Sequence, residues 1–394
     1  MLPQETDVLI VGAGPTGLAL AVALRQAGIR PVIVDRLAAG QNTSRAAVVH
    51  AHTLEVLERL GVSDALEHRG IPLTRFALRD HDRVLLELDF SMLPSRYAEV
   101  LLIPQDETEA ILAGRLQDLG GAVAWNVAAT GAERDGDGAS VHLETPQGPR
   151  TVRARYVVGG DGMHSLVRTA AGIPFEGGTY AGSFVLADVH MDWALRDEAT
   201  LFLSPEGMGL VAPLPGGRYR VVAPVEDPPE APGAAFMQAI LDARGPRRTP
   251  GRVRDVIWSS RFHVHHRVAP RYRSGPFFIM GDAAHVHSPA GGQGMNTGLV
   301  DAVVLGQLLA DVLGGDAPEA RLDLYEEKRR PAAAEVVALA DRLTRIATLR
   351  SAPARILRNF VVGLLGTSPV FRRKIALTLS GLSRKGLGMV PPLR

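Results

Sequence analysis

The stretch "DVLIVGAGPTGLALAVALRQAGIRPVIVDR", residues 7–36, decides the fold. Val8 to Val11 is apolar without a break, as a strand buried on both faces would be. Gly12, Gly14 and Gly17 follow in G-x-G-x-x-G spacing. In that pattern the first glycine makes a tight turn, the second lets a pyrophosphate reach the backbone, and the third lets helix and strand pack closely. The helix expected from about Thr16 ends at Gly28, a residue suited to the left-handed position after a helix. The next strand, "PVIV", delivers Asp35, with Arg36 beside it, to where a carboxylate accepts ribose hydroxyls. A strand, turn, helix and strand in this order predict a Rossmann-like α/β domain that binds a dinucleotide. Asp35 favours a free 2′-hydroxyl, which NAD and FAD possess and NADP lacks.

A second glycine-dense segment, "GDAAHVHSPAGGQGMN", occupies residues 281–296. An apolar strand, Phe277 to Met280, precedes it and a long helix from about Asn296 follows, with Leu299, Val303, Val304, Leu308 and Val312 as its buried stripe. No G-x-G-x-x-G with an acid after a following strand occurs here, so it is not a second Rossmann unit. A turn around Pro289 and a loop from Gly291 to Gly294 lead into the helix, whose positive dipole end suits an anionic edge. A reduced flavin carries such an edge, and Asp282 is placed for a polyol such as a ribityl chain. One extended molecule, FAD, held at its ADP end by Gly12–Asp35 and at its ring end by Asp282–Asn296, is the economical reading.

The chain resembles the group A flavoprotein monooxygenases, the class of para-hydroxybenzoate hydroxylase and the aromatic polyketide and phenol hydroxylases. Three motifs match in the family's order: the first glycine turn, "VVGGDGMHSLVR" (157–168) with Asp161, and "GDAAHVHSPAGGQGMNTGLVDA" through Asp301. The resemblance spans about Asp7 to Pro331 and implies a glutathione-reductase-type FAD domain interrupted by an antiparallel-sheet substrate domain, with C-terminal helices. It implies that Arg45 and Gln105 meet the phosphate and ribityl region, and that Asp282 meets the ribityl and pyrophosphate. Val127 stands where the family meets the adenine, and Gly292, Gly294, Met295 and Asn296 edge the ring. Asp161 braces the fold and shapes the nicotinamide approach. The family's Gly-Arg before the third motif is Gly275-Pro276 here, which puts a surface arginine contact in doubt. The thioredoxin-like domain of the larger polyketide hydroxylases is expected to be absent.

The expected organisation is an FAD domain at 1–74, 100–174 and 271–317, a sheet domain at 75–99 and 175–270, and a helical segment at 318–394. Short alternating strands such as "SFVLADVH" and "GRYRVVAPV" predict an antiparallel sheet with one wet face, lying over the flavin. His263 and His265 share a strand face, but two imidazoles make a poor metal site and no metal is expected. His285 and His287 are expected to brace the third-motif loop.

A net charge of +1 gives no reason to expect nucleic acid. Cysteine is absent, which removes disulfides and thiol catalysis and fits a cytoplasmic protein. The first strand-like run begins by Val8, which is read as leaving no room for a signal peptide. From Arg342 to Arg394 there are eleven Lys/Arg and no Asp or Glu. The plainer reading of that tail is helices packed on the body with a cationic outer face; the alternative is a basic amphipathic end resting on a membrane.

The implied activity is hydroxylation of an aromatic or polycyclic small molecule, using O2 and a transient NADPH or NADH, through a flavin C4a-hydroperoxide. Pro289 and Gly292 belong to the loop supporting the ring, and no acid or base is assigned. The rival readings are a ubiquinone-pathway hydroxylase at a membrane and a flavin reductase or sensor. A halogenase is excluded by the lack of Trp-x-Trp-x-Ile-Pro. Monomer and homodimer stay open.

Overall fold

The computed structural model describes residues 2–39, 46–349 and 351–391. Five strands run parallel at its centre, in the order Phe277–Ile279, Gly148–Gly159, Glu5–Val11, Val32–Asp35, Val123–Trp125. Val8, Leu9 and Ile10 are fully buried, as the unbroken apolar run requires of a strand covered on both faces. The helix Pro15–Gln26 follows the first turn, and Gly28 takes φ +81°, closing that helix in the left-handed region. The long helix starts at Gly294, two residues before the sequence expectation, and runs to Leu313. It is buried on most sides rather than along one stripe, because it packs between Pro15–Gln26 and the C-terminal helices.

The second sheet orders its strands as His285–Val286, Arg252–Val268, Glu176–Asp192, Arg218–Val225, Gly207–Leu214, Ala199–Ser204, Arg75–Asp80, Arg83–Asp89. It departs from the antiparallel expectation at one pair: Ala199–Ser204 lies parallel to Arg75–Asp80. The two strands come from distant parts of the chain, so no hairpin dictates their direction. An unforeseen helix, Ala234–Arg244, covers one face of this sheet by packing Met237, Ile240 and Leu241 on Val185, Val189 and Val221. The other face carries Phe184, Leu186, Val222 and Val264 and turns toward the helix Asp323–Ala347. Tyr180 marks that approach, donating its hydroxyl to Asp341 at 2.6 Å. A three-stranded sheet of Val48–His50, Val100–Leu102 and Ile71–Leu73 sits between the two large ones.

Candidate functional site

Val11, Gly159 and Ile279 stand side by side at the carboxyl ends of adjacent parallel strands. Both glycine clusters therefore leave the same end of one sheet, where open α/β sheets take their ligands. At the first, Gly12 has φ +100°, and a β-carbon on it would lie 2.4 Å from the Gly160 carbonyl oxygen. On Gly17 it would lie 1.9 Å from the Gly12 carbonyl oxygen, so helix and turn touch backbone to backbone. Gly14 caps the helix, which has no capping side chain and no acid in its first turn. No side chain of the helix's own first turn therefore caps its amide dipoles.

Asp35 sits beneath this turn. Its Oδ2 accepts from the Ala13 amide at 2.7 Å and its Oδ1 from the Leu37 amide at 2.8 Å. Each oxygen keeps a second lone pair for another donor. Arg36 is exposed beside it, and buried Val127 donates its amide to the Asp35 carbonyl at 2.8 Å. Gln105 is clipped to the residue after Arg45: its Oε1 accepts from the Ala46 amide at 3.2 Å, and its backbone N–H donates to the Ala46 carbonyl at 3.0 Å. Arg45 itself lies outside the described residues.

At the second cluster, Asp282 is exposed on a turn that Gly281 enters at φ +57°. The exposed Pro289 opens a tight turn, its carbonyl accepting from the Gly292 amide at 2.9 Å. Gly291 and Gly292 have φ +84° and +63°, and a β-carbon on Gly292 would press on Val48. Gly294 and Met295 form the first turn of the long helix, which again has no capping side chain and no acid there. Asn296 is buried and staples the loop down. It donates to the Gly292 carbonyl at 2.7 Å and the Val48 carbonyl at 2.8 Å, and accepts from the His50 amide at 2.8 Å.

The Asp161 motif joins the two clusters. Asp161 caps the helix Leu166–Ala170, accepting from Ser165 at 2.5 Å and from the Leu166 amide at 2.7 Å. Burial lifts its carboxyl above the usual carboxylate range, against those hydrogen bonds. Arg168 reaches from this helix to the Ala283 carbonyl at 2.9 Å, with its guanidinium over the Phe175 ring. Behind the turn, Asp301 is fully buried. It accepts from Arg329 at 2.7 Å, from His285 at 2.7 Å and from the Gly281 amide at 3.2 Å. Burial alone would raise its pKa, but Arg329 and His285 hold it below the ordinary carboxylate value.

His50 went unnoticed in the sequence and lies under the loop. Its Nε2 lies 2.8 Å from the Gly291 carbonyl oxygen and 3.0 Å from the Gln293 side-chain nitrogen. Burial pushes its pKa down to about 4, and that of His287 likewise to about 4. Gln293 ties the same loop to the Leu379 carbonyl at 2.8 Å and accepts from Arg384 at 2.9 Å. The partly buried Trp258, Phe262 and Met208 extend the apolar sheet face of Phe184 and Leu186. His263 and His265 lie on the strand Arg252–Val268, and His265 pairs with the Thr179 hydroxyl at 2.8 Å. Among the described residues no three His, Asp or Glu side chains converge.

Comparison with known proteins agrees with this geometry. The model of the FAD binding domain family matches residues 5–340. The 6-methylpretetramide 4-monooxygenase of Streptomyces rimosus is 36% identical, over 97% of this chain and 70% of that protein. The 12-dehydrotetracycline 5-monooxygenase/anhydrotetracycline 6-monooxygenase of the same species is 39% identical, over 84% of this chain and 68% of that protein. Among solved structures, the p-nitrophenol 4-monooxygenase of Pseudomonas putida superposes with TM-score 0.87 at 25% identity, covering 97% of this chain and 99% of that one. The OxyS anhydrotetracycline hydroxylase of Streptomyces rimosus gives TM-score 0.80 at 34% identity, covering 96% and 76%. The chain belongs to the FAD binding domain family, among the flavin-dependent aromatic monooxygenases.

Proposed function

We propose that this chain binds one FAD across both turns and uses NAD(P)H and O2 to hydroxylate an aromatic or polycyclic small molecule of polyketide or antibiotic type. One observation carries the reading: two helix N-termini without a capping side chain leave the same end of one parallel sheet. The relatives named for tetracycline-type compounds support a polycyclic acceptor.

The residues fit the group. Gly14 lets a pyrophosphate approach the backbone of a turn that Gly12 and Gly17 hold tight, and Asp35 and Val127 would take the ribose and adenine. Gln105, Arg45 and Asp282 would take the ribityl and phosphate region. Gly292, Gly294, Met295 and Asn296 would edge the ring, whose N1–C2=O side suits the dipole of the helix Gly294–Leu313. When bound, the flavin accepts a hydride from a nicotinamide and activates O2 for transfer of one oxygen atom to the substrate.

The chain's own tasks are positional. Pro289 and Gly292 support the reactive edge through the hydrogen bond between them. Burial and the nearby Arg384 guanidinium keep His50 itself neutral beneath the loop. Phe184, Trp258 and Phe262 exclude water and hold an apolar acceptor on the opposite side. Stopped-flow reduction of the FAD-loaded protein by NADPH, with and without a panel of polycyclic phenols, tests the reading. A substrate should speed reduction by orders of magnitude and gain one atom of 18O from labelled O2. Reduction indifferent to every aromatic, with no oxygen incorporated, would leave a flavin reductase instead.

A further inference from the structure

The helix Ala352–Gly366 sits on the body back to front. Its polar residues face inward: Arg358 donates to the carbonyls of Leu203, Ile346 and Ala347 at 3.1–3.2 Å, and Asn359 donates to Asp80 at 3.0 Å. Its apolar residues face out, with Ile356 71%, Leu357 61%, Phe360 66%, Val361 41%, Leu364 60% and Leu365 40% exposed. At spacing i, i+1, i+4, i+5, i+8, i+9 these six make one unbroken stripe along the helix. A cationic outer face was the plainer expectation for this tail; Arg372, Arg373 and Lys374 are exposed as it requires, but the helix Ala352–Gly366 turns its apolar side out instead. The pairing of Arg358 and Asn359 with buried carbonyls decides the rotation of the helix.

Cations flank the stripe. Arg372, Arg373 and Lys374 follow at the start of Pro369–Leu379, all exposed, and residues 342–391 contain no Asp or Glu. Asp89, on the neighbouring edge strand, is the acid beside Arg372. We propose that this face docks on an anionic phospholipid bilayer, with the stripe set among the acyl chains and the three cations at the headgroups. Fifteen residues are too few to span a bilayer, so the contact is with its surface.

Co-sedimentation of the full chain with vesicles tests the proposal, comparing pure phosphatidylcholine with phosphatidylcholine mixed with phosphatidylglycerol. Binding should appear on the mixed vesicles and fall as salt is raised. The triple variant R372A/R373A/K374A should weaken it by about a hundredfold, since each cation near such a surface contributes about 1 kcal/mol. The double variant F360S/L364S should abolish it while leaving NADPH consumption unchanged, as neither residue lies near the turns described above. Binding equal on both vesicle types would overturn the proposal. So would binding to neither, and so would a solution dimer that F360S/L364S splits, which would assign the stripe to a second copy.

Discussion

Gly298 stands directly over Thr16: a β-carbon there would lie 2.5 Å from the Thr16 hydroxyl oxygen and 3.1 Å from the Gly281 α-carbon. The two glycine clusters, far apart in sequence, are thus in contact at their helices, and Gly306 repeats the contact on Ala23 at 2.7 Å. Gly298→Ala should therefore cost about 1–3 kcal/mol, as overpacking of a close contact does. Thermal unfolding would show a lowered Tm. The double variant G298A/T16A should recover part of the loss, because removing the hydroxyl removes the nearer clash. A G298A protein as stable as the parent would mean that the helices are not so tightly apposed.

Asp301 and Arg329 are both buried and paired at 2.7 Å, so removing the carboxylate charge strands a guanidinium. Asp301→Asn should destabilise by about 3–5 kcal/mol, the range for breaking a buried pair from one side. Arg329→Met should cost less when combined with D301N than the two single changes summed. Urea unfolding of the three variants gives the coupling directly.

His50 and His287 are neutral in the fold, with pKa values lowered to about 4 from 6.5. As pH falls below about 6.5 the unfolded chain binds protons before the folded chain does, so stability drops. It is fully present above 6.5 and lost as the pH approaches 4, by on the order of 3 kcal/mol per histidine. Tm measured across this window should decline on acidification, and His287→Gln should flatten the decline. A flat profile between pH 5 and 7 would contradict the burial of these rings.

Much of this was legible in the sequence because it is local. Val8 to Val11, Gly12 and Gly28 act through burial on both faces and through φ, properties that a residue shows in its immediate neighbours. His50 was not legible, since its partners Gly291 and Asn296 come from the other end of the chain. Nor was the aromatic face of the second sheet. Phe184 and Leu186 alternate with Val185 and Ala187, which are equally apolar, and only the helix Ala234–Arg244 reveals which set faces away. The helix Ala352–Gly366 shows the same limit: its amphipathic pattern is plain, but the carbonyl of Leu203 that turns it inside out is distant.

Asn296 holds the loop by two donated bonds and one accepted bond. Asn296→Asp keeps the acceptor for His50 but loses both donors, leaving the Gly292 and Val48 carbonyls unpaired at about 1–3 kcal/mol. FAD affinity, read from flavin fluorescence quenching, should fall by about ten- to a hundredfold. Unchanged affinity would detach this loop from the cofactor.

The most direct measurement is the crystal structure of the chain grown with FAD. The account predicts one FAD per chain, its pyrophosphate at Gly12–Gly17 and its tricyclic ring against Pro289–Asn296. A chain that stays colourless, one that holds two separate nucleotides, or one whose ring lies away from that loop would contradict it.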